Sequence, residues 1–389
     1  MQLRMQALPG KKMALRLTNE KLEAETGLSK SSAVQVLALT KYVRLAASSR
    51  YRFLNYIPLL RARDVSVKVS PVLSETYIRR RLAGAKNDYL ELAWSYSSRL
   101  SEIIRARRFD VLWIEGELLP RFPATIERLL ALLDQPFVID LDDAIFHSYD
   151  NHPNLLVRKL LGHKIGVILH HATAVVVGND YLAERARQAG SRRVVVVPTS
   201  VDHRAYAEQQ PLAHDKLTFG WIGSSATLHY LQRLAPQLEE VCSSHSARLR
   251  LIGVEQHDFK CPDVVLTDWS EDTELEALAC CDIGLAPLSD GPWERGKCGL
   301  KAIQYMAMGI PVLAAQVGVL PTIVQHGKTG FIYRDSSEFV RYALVLADDP
   351  ELRRRMGLAG RERIAACYSI DGWVDTIADV LVGAASRRV

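Results

Sequence analysis

The chain of 389 residues predicts an α/β architecture built from two consecutive doubly wound units. Short, continuously apolar runs rich in Val, Ile and Leu recur along it, as strands buried on both faces of a parallel sheet require. Between them lie stretches of helical periodicity, the alternation from which βαβ crossovers are made. The alternation stops once, over a polar segment at 202–216, and then resumes.

The first series opens with VQVLALT (34–40), a helical stretch near 51–62 and VSVKVSPV (65–72). A helical region over 75–107 leads to VLWIE (111–115), and a helix near 121–133 leads to FVIDLDD (137–143). A helix near 154–170, AVVVG (174–178), a helix near 180–189 and VVVVP (194–198) complete it. The second series begins with LTFGWIG (217–223), a helix at 228–242, LRLIGV (249–254) and VVLTDW (264–269). It continues through a helix at 271–279, IGLAPL (283–288) and a helix at 299–308 that Gly309 and Pro311 terminate. PVLAA (311–315), a helix at 320–325, GFIY (330–333) and a helix at 336–347 follow. From Ile370 a last helix carries apolar Trp373, Ile377, Val380 and Leu381. Residues 1–33 read as an N-terminal extension with a short helix at 19–26. The expected domains are thus 34–201 and 217–370, joined by a linker at 202–216 and followed by a terminal helix at 371–389.

With 48% hydrophobic and 24% charged residues, the chain can build two cores. A net charge of +5 tolerates phosphates, lipid headgroups or nucleic acid without selecting among them. The six cysteines lack CxxC spacing, which favours a reduced, cytoplasmic protein with no structural zinc. No apolar run approaches the roughly 18 residues that span a bilayer, and the N-terminus lacks the apolar core of a signal peptide. The basic positions Arg79, Arg80, Arg81, Arg99, Arg105 and Arg107 leave room for a peripheral contact at the inner face of a membrane. Nucleic acid is the weakest partner, because the basic residues are scattered and no aromatic platform accompanies them.

Open α/β sheets bind ligands outside the carboxyl ends of their strands, so two facing sheets share one cleft. Neither GxGxxG nor GxxxxGK[ST] follows a strand here, which argues against dinucleotide and P-loop chemistry. After the first strand come Ser48, Ser49, Arg50 and Arg52, hydroxyls and guanidinium forks suited to a phosphate or sugar. An ordinary N-cap with solvated arginines is the alternative. Asp140, Asp142 and Asp143 cluster at the end of another strand, where carboxylates are costly unless solvated, paired or functional. They could hold sugar hydroxyls, act as a base or bind a divalent cation; a helix cap by Asp143 is the plainer reading. Asn179 reads as a cap. Gly223 and Ser224 form a backbone cradle, and Asp268 with Trp269 could wall a flat base, unless Trp269 is core. In PWERGKCGLK (292–301), Arg295, Lys297 and Lys301 crowd a helix start. The dipole there repels cations, and Lys297 and Lys301 repel each other at i,i+4. A bound diphosphate accounts for this crowding better than a solvated surface does.

DIGLAPL, PWERGKCGLKAIQYMAMGIPVLAAQVG and HGKTGFIY, together with WIGSSATLHYL, TDWSEDTELEAL, IDLDDAIFHSYD, VGNDYLA, VVVVPTSVD and ASSRYRF, resemble the retaining glycosyltransferases of family 4. The resemblance runs in order from about 34 to 385. It implies the GT-B fold, two facing Rossmann-like domains whose final helix crosses back to the first. It also implies a UDP- or GDP-linked sugar as donor substrate, with no tightly bound cofactor and no metal. The acceptor would be a glycan, a lipid-linked molecule or a small molecule.

Many members carry two Glu eight positions apart, the second holding the donor ribose; here those places fall on Gly296 and Gln304, and Glu294 stands in for the first carboxylate. A basic pair that usually binds the diphosphate is replaced by Ser224 and Tyr230 or His229, so that Lys297 with Arg295 takes over. Asp142 stands where a His is common, and Ala46–Ala47 where Gly-Gly is common. The implied catalytic candidates are Asp142, Asp143 and Glu294. Donor contacts fall to Gly223, Ser224, Asp268, Trp269, Arg295, Lys297, Gly299, Leu300 and Gln304, and acceptor contacts to Ser49 and Arg50. No carboxylate nucleophile is evident, so attack on the front face is expected. The alternatives are a GT-B epimerase or phosphorylase, or a non-catalytic membrane-peripheral subunit of a polysaccharide assembly.

Overall fold

The computed structural model describes residues 33–82, 88–209 and 215–388. The helix expected at 19–26 lies outside the described residues. Strands β1 (Val34–Leu39), β2 (Val65–Val69), β3 (Val111–Glu115), β4 (Phe137–Leu141), β5 (Ala174–Val177) and β6 (Val194–Val196) form one sheet in the order β2-β1-β3-β4-β5-β6. Strands β7 (Thr218–Ile222), β8 (Arg248–Ile252), β9 (Val264–Thr267), β10 (Ile283–Ala286), β11 (Val312–Ala315) and β12 (Gly330–Tyr333) form the other, ordered β12-β11-β10-β7-β8-β9. Every ladder is parallel, with Val36 opposite Val111 in the first sheet and Leu285 opposite Leu313 in the second. The central strands β3, β4, β5, β7, β10 and β11 are buried throughout. That double coverage explains why they read as unbroken apolar runs instead of alternating ones.

The two faces of the first sheet are closed by different parts of the chain. Leu130, Ile165, Ile168 and Leu182, from helices near its own strands, cover one face. The other is closed by the final helix, Ile370–Ala385, whose Val374, Ile377, Val380 and Leu381 pack on Val36, Val111, Trp113 and Val138. The end of the chain therefore completes the core begun at its first strand.

Several helices are shorter than their periodicity suggests. The region 75–107 holds separate helices at Glu75–Leu82 and Tyr89–Ile104, and 154–170 holds Leu155–Leu161 and Lys164–His171. The expected helix at 228–242 divides into Ser225–Gln232 and Ala235–Ser244, the second opening with Pro236 in its first turn. Proline lacks the N–H and clashes with the preceding turn, so the first helix cannot run through it. The polar segment at 202–216 contains a helix, His203–Glu208, capped by the Asp202 side chain. Pro350–Cys367 is a helix that periodicity misses: its buried positions are Met356, Gly357, Gly360 and Ile364. A stripe half made of glycine carries little hydrophobic signal, yet it lets the backbone lie against the Gly309 carbonyl, which a Cβ on Gly357 would meet at 1.9 Å. Among the described residues no helix is long and apolar enough to cross a membrane.

One contact sets the helix Leu300–Met308 on the second sheet. The Tyr305 hydroxyl accepts from the Ile222 N–H at 2.9 Å and donates to the Gly220 carbonyl at 2.9 Å. Its ring lies on Gly284, where a Cβ would come within 2.3 Å of the ring. Gly284→Ala should therefore force ring or backbone to move and cost about 1–3 kcal/mol, the usual penalty of overpacking, read as a lowered urea midpoint with unchanged slope.

Candidate functional site

The carboxyl ends of β1, β4, β7 and β10 converge on a cavity of about 340 Å³ between the two sheets. The first half contributes Ser48, Arg52, Asp142, Asp143 and Thr199, and the second Thr227, Tyr230, Lys297, Gly299, Leu300 and Lys301. Thr199 is beyond the candidates that strand-end reasoning names; Arg52 is among them, read with Ser48, Ser49 and Arg50 as suited to a phosphate or sugar. Arg52 was visible as a cation after β1, whereas Thr199 carries no local signal.

The second-half wall is cationic. Gly299 enters the helix with φ +70°, and a Cβ there would sit 2.3 Å from Ile323 Cδ1, so only glycine allows this approach. The first-turn amides that follow have no partner within the helix, and the dipole adds positive potential. Lys297 Nζ stands 3.6 Å from Asp143 Oδ1. Lys301 has no carboxylate partner among the described residues; its Nζ lies 4.1 Å from the centroid of the Trp221 ring. Desolvation, then repulsion by Lys297, pulls the Lys301 ammonium down to about 7. Gly223 makes room for this stack, since a Cβ there would meet the Trp221 ring at 2.5 Å and Lys301 Nζ at 2.6 Å.

The first-half wall is acidic and poorly solvated. Burial pushes Asp143 up to about 6, against the pull of Lys297 and with the push of Asp142. Asp142 is also raised by burial, while Arg52, Lys41 and Lys297 restrain it. Beneath them Asp140, likewise pushed up to about 6 by burial, accepts from Arg52 Nε at 2.8 Å. Glu115 is pushed up to about 7 by burial; it accepts from Ser49 Oγ at 2.6 Å and the Lys41 N–H at 2.7 Å. Burial thus raises all four carboxyl groups near one cavity, and places Asp140, Asp143 and Glu115 at about 6 to 7, the range in which a carboxyl can exchange a proton.

The two halves are joined by contacts that local sequence does not announce. Asn179 caps its helix by accepting from the Leu182 N–H at 3.0 Å, and its amide donates to the carbonyls of Gly296 (2.9 Å) and Lys297 (3.1 Å). The Cys298 thiol donates to the Asp142 carbonyl at 2.9 Å. Deeper, the buried Glu274 carboxylate accepts from Arg50 at 2.9 Å, the Tyr51 hydroxyl at 2.8 Å, the Trp269 indole at 2.7 Å and the Gln304 amide at 2.9 Å. Tyr206 hydrogen-bonds Tyr51 at 3.0 Å in the same network.

Of the sequence-predicted residues, Asp142, Asp143, Lys297, Gly299 and Leu300 line the cavity together. Arg50, Trp269 and Gln304 do not; they are taken up by Glu274. Ser49 is fully buried on Glu115, while its neighbour Ser48 faces the cavity. Glu294 accepts from the Tyr230 hydroxyl at 2.6 Å and meets the site through that tyrosine. Arg295 turns outward into an ion pair with Asp290 at 2.7 Å, and Asp268 is exposed. The Gly223 N–H donates to Ile252 at 2.9 Å, and the Ser224 carbonyl accepts from Thr227.

Residues 216–349 match the family model for glycosyl transferases group 1. D-inositol 3-phosphate glycosyltransferase of Streptomyces avermitilis is 45% identical over 94 residues, 23% of this chain and 20% of that protein. N-acetyl-alpha-D-glucosaminyl L-malate synthase of Bacillus anthracis is 36% identical over 104 residues, 26% of each chain. These matches therefore span about a fifth to a quarter of the relatives' length. Anabaena Alr3699/HepE in complex with UDP-glucose superimposes with a TM-score of 0.65 at 15% identity, covering 90% of this chain and 99% of that one. Sucrose-phosphate synthase from Thermosynechococcus elongatus gives 0.61 at 13% identity, covering 90% and 98%. The fold is GT-B: two parallel six-stranded Rossmann-like sheets facing one another across a cleft.

Removing Glu274 leaves the buried Arg50 guanidinium with only the more distant, partly exposed Glu271 at 3.9 Å. Glu274→Ala should cost about 3–5 kcal/mol in denaturant unfolding. Gln304→Glu places a second carboxylate against Glu274, so one of the pair holds a proton in the folded state that the unfolded chain releases. Its stability deficit should be largest at pH 8 and shrink towards pH 5; a deficit independent of pH would show that Gln304 does not face Glu274.

Proposed function

We propose that the protein is a retaining glycosyltransferase of family 4, moving a sugar from a UDP-linked donor to an acceptor held by the first domain. One observation carries the reading: Lys297 and Lys301 share a cavity wall at a helix start, where among the described residues Lys297 meets one carboxylate, Asp143, and Lys301 meets none. A diphosphate supplies the missing negative charge. The UDP-glucose held by the structurally similar Anabaena protein favours uridine over guanosine. The relatives' names, with inositol 3-phosphate and malate as acceptors, favour a small polar acceptor.

In the reaction the anomeric C–O bond to the diphosphate breaks and a C–O bond to the acceptor hydroxyl forms on the same face. Lys297, Lys301 and the first-turn amides neutralise the departing diphosphate. The hydroxyl proton passes to a diphosphate oxygen, while Asp142 and Asp143 orient the acceptor. Glu294, held by Tyr230, takes the place of the carboxylate that contacts the donor sugar. The exposed Tyr89, Leu90, Trp94 and Ile104 on one helix, with Arg105 and Arg108 at its end, support a peripheral contact with a membrane.

UDP-glucose should raise the melting temperature of the wild-type protein, and Lys297→Ala should remove most of that shift; an undiminished shift would sink the diphosphate assignment. The diphosphate diester does not titrate near neutrality, so pH acts through the protein. Lys301 attracts the diphosphate only when protonated, and its ammonium in the free site is held near 7. UDP-glucose affinity should therefore fall from pH 7 towards pH 8.5, by up to about tenfold per unit, and Lys301→Met should flatten the profile in calorimetric titrations.

A further inference from the structure

A second cavity, of about 400 Å³, opens on the other side of the loop that follows β1. Ala46 lines it, while Ala47 and Ser48 line the first cavity, so this one loop is the partition between them. Its walls come from the helices Glu75–Leu82 and Tyr89–Ile104 and from the segment after β3. Three tyrosines, Tyr42, Tyr77 and Tyr96, face it.

Two cations also face it, Lys41 and Arg121. Neither has a carboxylate within ion-pair distance among the described residues. The nearby acids are already committed: Glu117 holds Lys164 and the Tyr149 hydroxyl, and Glu115 holds Ser49 and a backbone amide. Lys41 is half-buried, resting 5.2 Å from the centroid of its neighbour Tyr42. Arg121 holds φ +64°, an uncommon conformation for a residue with a side chain. Its N–H donates to the Tyr149 hydroxyl at 3.0 Å, and that hydroxyl is anchored on Glu117. The strained backbone is thus fixed in place by the buried Tyr149–Glu117 pair, while Lys41 is held by Tyr42 and feels Glu117 and Glu115 only at longer range. Lys41 also acts on the first cavity, where its charge restrains the rise of both Asp142 and Asp143.

We infer that this second cavity seats the acceptor, and that the acceptor bears an anionic group, phosphate or carboxylate, bound between Lys41 and Arg121. The tyrosines offer ring faces to the body of the molecule. An anion held there places the rest of a small acceptor along the 46–48 loop, towards Asp142 and Asp143. This rests on the transferase reading for the word acceptor, but the anion site stands on its own residues.

The test uses the full chain saturated with UDP, so that Lys297 and Lys301 are occupied, at constant ionic strength. Glucose 6-phosphate, glucuronate and glucose are titrated by calorimetry. At least one of the two anions should bind ten or more times more tightly than glucose, and which one does so separates phosphate from carboxylate. Lys41→Met and Arg121→Gln should each weaken that anion about tenfold or more, in keeping with loss of one charge-assisted hydrogen bond, and Arg121→Gln should do so with UDP affinity unchanged. Arg121 is exposed and Arg121→Gln keeps a polar side chain, so this variant reads out even if Lys41→Met folds poorly. Equal binding of anions and glucose, absence of anion binding, or anion binding that survives both substitutions overturns the inference. Failure of UDP itself to bind would instead count against the donor reading, and the anion titrations on the UDP-free protein would still decide the second cavity.

Discussion

The cleft has a defined shape because of one carboxylate. Glu274 sits at the start of a helix in the second domain, and burial there would be prohibitive for an unpaired ion. It is tolerated because four donors from both halves converge on it. Arg50 and Arg52 divide the work, although they are only two residues apart on one π-helical turn, Arg50–Leu54. Arg50 reaches across to Glu274, while Arg52 stays within the first domain on Asp140 and the Val197 carbonyl. One short turn thereby holds β4, β6 and the second domain in register, and the cavity lies just outside it.

Much of the fold was legible because it is written locally. A strand buried on both faces has to be apolar throughout, and the end of such a strand is where a polar cluster becomes conspicuous. Asp142, Asp143 and Lys297 stand out that way, and the three line one cavity, with Lys297 3.6 Å from Asp143. What local pattern could not supply is partner choice across hundreds of residues. Arg50 and Glu274 are separated by 224 positions, and in sequence Glu274 is only an acidic residue in a helix's first turn, where the dipole favours it anyway. Gln304 and Trp269 looked like ligand contacts for the same reason: a polar side chain near a strand end appears free until its distant partner is known. Arg295 is a different case. Its partner, Asp290, is five residues away, but a loop pair has no periodicity to betray it.

The missed helix and the divided ones share a cause. Hydrophobic periodicity records how much apolar surface a helix buries, and it says little about helices that pack by closeness. Pro350–Cys367 touches its neighbour through Gly357 and Gly360, so its packing energy comes from contact distance, not from large side chains. That packing places the Gly309 end of the helix Leu300–Met308, whose other end faces the cleft. A stripe of glycine thus bears on the site through the helix between them.

The electrostatics of the cleft couple its two walls. With no anion present, Lys301 lies near 7 and Asp143 near 6, so both walls sit close to losing their charge at neutral pH. A diphosphate between the lysines reverses the balance on the cationic side, because its charge opposes the desolvation that depresses Lys301. Lys297 then divides its attraction between phosphate and Asp143, whose carboxyl loses part of the positive field that restrains it. Both shifts favour proton uptake. Under the proposed reading, donor binding therefore prepares the acidic wall by making Asp143 easier to protonate, while Asp142 keeps the restraint that Arg52 and Lys41 supply.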